Sequence, residues 1–356
     1  MRGFVRALAV MLAVFSLAAA FSCRGKEAAL PSPEPTRTDA PVVTEAQTET
    51  PTEEPTPVPT PTPVPTPTPV PCGEYASECM AKAAERMQRA IDHIRENPVS
   101  DGSSVHPFVP ADKRAELDEG ARELYDLMLS CAESFEPASF EADDISVQSA
   151  LDALLFDHPE IETYFTAEKD SQSEIWRSVF FLPEGKRKEQ AEDMDEVKAQ
   201  VEAFTEVGGL VASMIPEEFS AIDRYRALAY YVSITSRYCY VHGTVPPYAT
   251  GPYGALVNGY SICQGYAIGF EYLCRRAGLD CRRVRNAYND DNMHFWDIVT
   301  LDSGTYYVDV TWSDGSVDRF TDRGWFAWFM FTADGHHVAD DGSGTTGARL
   351  PRETWR

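Results

Sequence analysis

The chain has 356 residues with 31 basic and 56 acidic side chains, a formal net charge of −25 at pH 7. Residues 72–356 hold 49 of the acidic side chains, so a strongly negative surface is expected on the folded part. Because such a surface repels polyanions, the composition argues against nucleic acids and anionic membrane surfaces as partners and favours basic or neutral ones.

The N-terminus predicts export. Arg2 and Arg6 precede the apolar run Ala7–Phe21, whose roughly 15 residues match a signal-peptide core and fall short of the roughly 20 that span a membrane. The run ends in Ala20-Phe21-Ser22-Cys23, which resembles a bacterial lipobox and implies a signal peptide over 1–22 and a lipid on Cys23. A lipobox usually has Leu and a small residue where Ala20 and Phe21 stand. Ordinary cleavage after Ala20, with a secreted product, is the alternative.

Residues 23–71 have the composition of a lipid-anchor cysteine followed by a disordered tether. Fourteen of the 25 prolines lie between Pro31 and Pro71, and Val58–Pro69 repeats V-P-T-P-T-P twice. Alternating proline removes backbone donors and fixes φ, which favours extended polyproline II. At about 3.1 Å per residue, 41 such residues reach about 130 Å. We expect a spacer at the bacterial cell surface, with the lipid as its only membrane contact.

The eight cysteines divide between lipidation, catalysis and structure. With Cys23 lipidated and one cysteine acting as a nucleophile, six remain and can pair in 15 ways. Export favours disulfides, and a bond from Cys79 to Cys72 or to Cys131 is the simplest expectation. No metal site is predicted, because the chain has no Cys-x-x-Cys pair and no histidine at ligand spacing. The adjacent His336-His337 is the minor alternative.

Hydrophobic periodicity predicts a mainly helical region over 72–200 and further helices beyond it. The predicted elements are helices at Glu74–Glu96, Ala115–Cys131, Ile145–Phe156, Ala191–Met214 and Ala221–Arg237, and a strand at Ile175–Leu182. Asn97-Pro98 ends the first helix, Ser146 is a candidate cap of the third, and His158 is expected in a turn. Residues 239–262 are rich in Tyr, Gly and Pro, and a loop this long inside a compact domain is usually functional.

Cys263 begins a helical pattern that runs to Ala277, with Gly278 as its stop and Ser261 as a candidate cap. A cysteine in the first turn of a helix is activated, since the helix dipole and the free N–H groups stabilise its thiolate. Gly265 and Gly269 each cost about 1 kcal/mol in a helix interior. Their spacing of four residues predicts that another backbone packs very close to this helix.

A β-hairpin signal follows the cysteine helix. The β-rich runs His294–Leu301 and Thr305–Trp312 flank the turn residues Asp302-Ser303-Gly304. A loop of even length centred between Asp302 and Ser303 pairs Asp309 with Trp296, which places His294 diagonally on the same face, within side-chain reach. Asp309 then orients the imidazole, whose other nitrogen faces Cys263, as acyl transfer through a thioester requires.

Three segments together resemble the signature blocks of the transglutaminase-like superfamily: Gly259–Ala267, His294–Val299 and Tyr306–Asp314. The resemblance is strongest over 225–332. It implies an α+β fold with a papain-like core, in which the helix bearing Cys263 packs on an antiparallel sheet bearing His294 and Asp309. We place this catalytic domain at 201–335, preceded by the mainly helical region and followed by a tail at 336–356.

The resemblance also implies the roles of the site residues. Cys263 is the nucleophile, His294 the general base and Asp309 the orienting residue, with no cofactor. The oxyanion hole combines the backbone N–H of Cys263 with a second donor, for which Tyr240 and Tyr260 are candidates. The second block departs from the usual His-Ala-Trp-Asn, since Phe295 and Asp297 replace Ala and Asn, and a bulkier ring and a charged carboxylate are expected to alter the site.

Two functions remain open at this point. The first is a cell-surface thiol enzyme acting on protein or peptide substrates, such as cell-wall peptides, and more suited to hydrolysis than to cross-linking. No calcium-loop signature supports the calcium-dependent cross-linking type, because Asp290-Asp291 and Asp340-Asp341 have the pattern of solvated loops. The second is a non-catalytic binding or wall-organising module that keeps the fold.

Overall fold

The computed structural model describes residues 76–110, 112–173, 175–181, 194–239, 247–286, 293–314, 328–332 and 336–348. The predicted signal peptide, the tether, Cys23, Cys72 and Tyr240 lie outside these residues. None of the described helices is long and apolar enough to span a membrane.

The described residues alternate between helices and short strands. The helices are α1 Ala76–Glu96, α2 Lys113–Glu116, α3 Glu119–Ser134, α4 Asp144–Asp157, α5 Met194–Ser213, α6 Ala221–Thr235, α7 Cys263–Arg276 and α8 Val310–Asp314. The strands are β1 Ser139–Glu141, β2 Phe165–Lys169, β3 Ile175–Phe180, β4 Arg237–Tyr238, β5 Tyr260–Ser261, β6 Cys281–Arg285, β7 Phe295–Leu301 and β8 Gly304–Val308. The predicted helices at 74–96, 145–156 and 221–237 and the strand at 175–182 are confirmed within a few residues at each end.

Local capping explains where the helix predictions were wrong. The predicted helix at 115–131 is interrupted, because the Asp118 side chain accepts from the Ala121 N–H and starts α3 anew. The cap of α4 is Asp143 rather than Ser146, whose own N–H donates to the Asp143 carboxylate. In both cases an aspartate at the first non-helical position satisfies an N–H that the helix leaves without an acceptor.

The strands form three small sheets. The first has the antiparallel order β1-β3-β2, and the second is the parallel pair of β4 and β5. The third has the antiparallel order β6-β7-β8 and packs against α7. This helix on an antiparallel sheet is the α+β, papain-like arrangement expected for the catalytic core.

The hydrophobic core is continuous from α1 to Met330. Helix α1 packs against α5 and α6, so the predicted helical region and the predicted catalytic domain share this core. A buried ion pair on α6 also binds the segment that follows α1. Arg226 lies 2.6 Å from Asp223 and donates to the Asn97 carbonyl, while Asp223 accepts the Val99 N–H. The domain boundaries themselves remain predictions.

The expected disulfide between Cys79 and Cys131 is not formed, and both thiols are buried and free. Cys79 lies on α1 and Cys131 on α3, each inside the apolar core. Burial raises the pKa of both thiols, so they behave here as small apolar side chains.

Candidate active site

Cys263 lies at the first position of α7. The residue before it, Ile262, provides no side-chain cap, and the Ser261 hydroxyl donates instead to the Ala249 carbonyl at 3.1 Å. The predicted Ser261 cap is therefore wrong, and the first N–H groups of α7 have no acceptor within the helix. Only 7% of Cys263 is exposed. The thiol thus lies at the positive end of a 14-residue helix, where a thiolate is stabilised.

Two glycines let other segments approach α7 closely, as predicted. A Cβ on Gly265 would lie 2.3 Å from the Ala249 carbonyl oxygen, and one on Gly269 would lie 2.8 Å from the Ala255 Cβ. The predicted close contact with another backbone is confirmed at Gly265, where the backbone of Ala249 packs against the helix. At Gly269 the close contact is with the side chain of Ala255. The long loop predicted at 239–262 contributes this packing through its segment from 247 onwards.

The hairpin register is the predicted one. Leu301 pairs with Gly304 across the two-residue loop, and the ladder runs to the pair of Asp297 and Val308, so the next position sets Trp296 opposite Asp309. Strand β8 ends at Val308, earlier than predicted. Asp309 Oδ1 accepts the Trp312 N–H at 2.9 Å and so caps the turn that begins α8.

The structure brings the three predicted catalytic residues together. His294 Nε2 lies 2.6 Å from Asp309 Oδ2, and the Cys263 side chain is a further neighbour that raises the pKa of His294. The Asp309 side chain is fully buried, and 18% of the His294 side chain is exposed. Since Nε2 faces the carboxylate, Nδ1 remains for the thiol. The chain thus brings together the three groups predicted to act as nucleophile, base and orienting carboxylate.

The electrostatics favour a charged imidazole. Burial lowers the pKa of His294, but the Asp309 charge and the hydrogen bonds to Asp309 and Cys263 outweigh it and raise the pKa to about 10. Burial raises the pKa of Asp309, yet the His294 charge and the surrounding donors bring it to about 2. An imidazolium between a carboxylate and a thiol is the state that stabilises a thiolate.

Two tryptophans enclose the His294 ring. Trp312 stacks on it with centroids 5.2 Å apart and Trp296 with centroids 5.9 Å apart, at angles of 22° and 26°. An aromatic face attracts a cation within about 6 Å. The indoles therefore hold the imidazole plane in place and favour its protonated form.

His337 is a neighbour of the triad that the sequence did not identify. Its side chain is fully buried and its Nε2 lies 3.1 Å from Asp309 Oδ2. His336 beside it is exposed, so the two adjacent histidines do not form a common metal site. Nitrogen and oxygen atoms of His294, Asp309 and His337 do lie within 4.8 Å of one another. Each Nε2 also lies at hydrogen-bond distance from the Asp309 carboxylate, so the three groups can pair with one another through protons, as the predicted triad requires.

Asp297 stands where the second signature block usually has asparagine. A charged carboxylate was expected there, and the structure indicates otherwise. Asp297 is fully buried, and within the described part of the chain its Oδ2 has no hydrogen-bond partner. Burial, followed by the nearby Glu271 charge, raises the pKa of Asp297 well above its usual value. Its surroundings therefore favour the protonated, neutral form of the side chain, which is close in shape and charge to the usual asparagine.

Residues 210–327 match the family model of the transglutaminase-like superfamily. This part of the chain is a transglutaminase-like domain. The superfamily is one of cysteine-dependent enzymes, so the domain belongs to a class of thiol enzymes. The human and mouse kyphoscoliosis peptidases are each 27% identical to the chain, over 155 and 152 residues. These matches cover 40% and 39% of this chain and 23% of each relative, so the chain spans less than a quarter of their length.

The second oxyanion donor stays a prediction. Tyr260 lies on β5, three residues before Cys263, and is partly buried, whereas Tyr240 is outside the described residues. The backbone N–H of Cys263 is the first helical amide, which leaves it available for an oxyanion.

Proposed function

We propose that the protein is a cell-surface thiol hydrolase that cleaves peptide or amide bonds through a Cys263 thioester. The observation that carries the proposal is that Cys263, at the start of α7, lies beside the hydrogen-bonded pair of His294 and Asp309. A module that only binds would have no need of all three groups in this alignment.

The chemistry follows from the geometry. Because the electrostatics keep His294 charged, its Nδ1 already holds the proton given up by Cys263, and the thiolate attacks the substrate carbonyl carbon, forming a C–S bond and an oxyanion near the Cys263 N–H. When the oxyanion collapses, His294 returns the proton to the leaving nitrogen, and the C–N bond breaks to give the thioester and an amine. His294 then deprotonates a water that attacks the thioester, releasing the acid and the thiol. Asp309 keeps the imidazole oriented throughout.

Two observations favour hydrolysis over calcium-dependent cross-linking. Asp340 and Asp341, one of the two acidic pairs considered for calcium, form ion pairs with Arg285 and Arg282. The relatives similar to this chain carry the name of a peptidase. Asp290-Asp291 lies outside the described residues.

Thiol labelling tests the proposal. The full-length protein is treated with iodoacetamide over a pH series, and mass spectrometry locates the label. We expect rapid labelling of Cys263 at about pH 6, because the His294 imidazolium beside it stabilises the reactive thiolate. Cys274 and Cys281 serve as internal references, since burial raises the pKa of both and should keep them unlabelled.

A matched pair of variants separates activation from general damage. His294→Ala should slow Cys263 labelling at this pH at least about tenfold, because the thiolate loses its counter-charge. His106→Ala should leave it unchanged, since His106 also pairs with an aspartate, Asp302 at 2.7 Å, but on the surface. A Cys263 that is inert in the folded protein would refute the enzyme reading and favour the binding module.

Product analysis separates hydrolysis from cross-linking. A glutamine-containing peptide library is incubated with the protein in the presence and absence of a primary amine. We expect carboxylic acid products whose yield the amine does not change, with none from Cys263→Ser. Incorporation of the amine as the main product would instead identify a cross-linking enzyme.

We also propose that the lipid on Cys23 anchors the protein and that the proline-rich tether holds the domain outside the membrane. In a bacterial host, the wild type should fractionate with membranes and Cys23→Ala with the soluble exported proteins. Release of the wild type into the medium would favour ordinary cleavage after Ala20.

A further inference from the structure

His337 contacts the orienting carboxylate and lies among aromatic rings. Its ring centroid is 4.9 Å from that of Trp296, 4.7 Å from that of Trp312 and 4.7 Å from that of Phe331, all in edge-on arrangements. These contacts fix the plane of the imidazole. Within that plane, Nε2 faces Asp309 Oδ2 at 3.1 Å.

The carboxylate receives three donors in this arrangement. The Trp312 N–H binds Oδ1, while the Nε2 atoms of His294 and His337 both bind Oδ2. A carboxylate oxygen has two lone-pair sites, so it accommodates both imidazoles. Because the oxygen carries no proton, His337 must present its Nε2–H to it.

We propose that His337 is a second positioning residue of the predicted triad. Its Nε2–H holds the Asp309 carboxylate in the orientation that aims Oδ2 at His294. The inference rests on the proposed function, and it adds a residue that acts through Asp309 without touching the substrate. Asp309 lies just beyond the last pair of β8, where its backbone N–H donates to the Trp328 carbonyl at 2.8 Å, so the orientation of the carboxylate itself is left to the donors around the side chain. The Trp312 bond fixes one of its oxygens, and His337 fixes the other.

Two substitutions separate the donor from the packing. His337→Gln keeps an N–H near the position of Nε2, whereas His337→Phe keeps an aromatic ring without a donor. Loss of the donor leaves the buried carboxylate with one hydrogen bond fewer, so Asp309 should hold its proton to higher pH. With Oδ2 no longer held towards His294, the imidazolium supports the Cys263 thiolate less well. We expect Cys263 labelling over the pH series to slow by about tenfold in His337→Phe and to return towards the wild type in His337→Gln.

Equal profiles in His337→Phe and the wild type would overturn the inference, while rapid wild-type labelling would still support the thiol enzyme. A parallel loss in both variants would also overturn it, since packing alone would then explain the effect. Conversely, an unreactive wild-type Cys263 would refute the proposed function. The labelling therefore distinguishes the two failures.

A measurement on the wild type covers the case in which the variants do not fold. Long-range ¹⁵N–¹H correlation of the histidine rings identifies which nitrogen of His337 carries the proton. We expect a protonated Nε2. A ring protonated only at Nδ1 cannot donate to the carboxylate and would overturn the inference whatever the state of Cys263.

Discussion

Replacement of Asp297 by asparagine should make the protein more stable, and increasingly so as the pH rises. Asp297 is fully buried in β7, and its Oδ1 accepts a hydrogen bond from the Cys281 thiol at 3.9 Å. Burial, together with the charges of Glu271 and Asp309, raises its pKa, and Arg283 offsets only part of that effect. Asparagine has almost the same shape but no proton to lose.

Proton linkage sets the size of the effect. The unfolded chain releases the Asp297 proton at about pH 3.9, whereas the folded chain holds it to higher pH. Between these two pKa values the folded state binds one more proton, so the free energy of unfolding falls by about 1.4 kcal/mol for each pH unit. Asp297→Asn has no proton to release and does not lose stability in this way. The difference in unfolding free energy between the variant and the wild type should therefore grow by about 1.4 kcal/mol for each pH unit.

Thermal unfolding at a series of pH values measures the difference. Above about pH 4, we expect the melting temperature of Asp297→Asn to exceed that of the wild type by a few degrees more for each pH unit. Asp302→Asn is the control with the opposite sign, because hydrogen bonds to Ser104 and His106 lower the pKa of that exposed carboxylate. Parallel curves for Asp297→Asn and the wild type would show that Asp297 is ionised in the folded protein and refute the reasoning.

Three further substitutions probe the site and its support. Gly265→Ala should destabilise the protein by about 1–3 kcal/mol in chemical denaturation, because its Cβ would overlap the Ala249 carbonyl. Asp309→Asn should lower the pKa of His294 from about 10 and slow Cys263 labelling at about pH 6 at least tenfold. Arg226→Leu should cost about 3–5 kcal/mol, since it leaves the buried carboxylate partner unpaired.

The substitutions at Gly265 and Arg226 each have a comparison within the chain. Gly120→Ala, where the nearest atom to the new Cβ is 3.7 Å away, should be neutral or slightly stabilising. Arg95→Ala breaks an exposed ion pair with Glu218 and should change stability by less than about 1 kcal/mol. Equal effects at Gly265 and Gly120, or at Arg226 and Arg95, would contradict the packing and burial arguments.

The pH dependence of Asp309→Asn has a defined direction. The raised pKa of His294 contributes stability that is present below about pH 6.5 and is lost as the pH rises through about 10. The lowered pKa of Asp309 contributes stability that is present above about pH 3.9 and is lost as the pH falls through about 2. The variant should therefore lag furthest behind the wild type between about pH 4 and 6.5 in thermal unfolding. A gap that widens towards pH 10 would contradict this coupling.

The hairpin could be predicted from the sequence because a two-residue loop and a period of two together fix the register. The bounds of α7 could also be predicted from the local pattern. The helix begins at Cys263 as predicted, and Gly278 follows its end in a left-handed conformation at φ +72°. These local signals placed His294 and Asp309 on one face before any tertiary contact was known. The approach of Cys263 to His294 was a hypothesis from the same spacing, and the family resemblance implied it more strongly.

His337 could not be predicted in the same way. It lies 28 residues after Asp309, and its segment follows no regular period that would place it on a face. The paired histidines suggested a metal, whereas burial separates them, with His337 inside and His336 outside. Strands β1 and β2 were missed for a related reason, because strands of 3 and 5 residues are set by pairing with β3 rather than by their own sequence.

The continuous core affects how this protein could have been assembled in evolution. The span that matches the family model begins at 210, inside α5, yet α1 covers both α5 and α6. A gene duplication or exchange that copied only this span would expose the apolar face against α1 and free the groups that bind Asn97 and Val99. The helical region and the catalytic core are therefore expected to be inherited as one unit, and to diverge together.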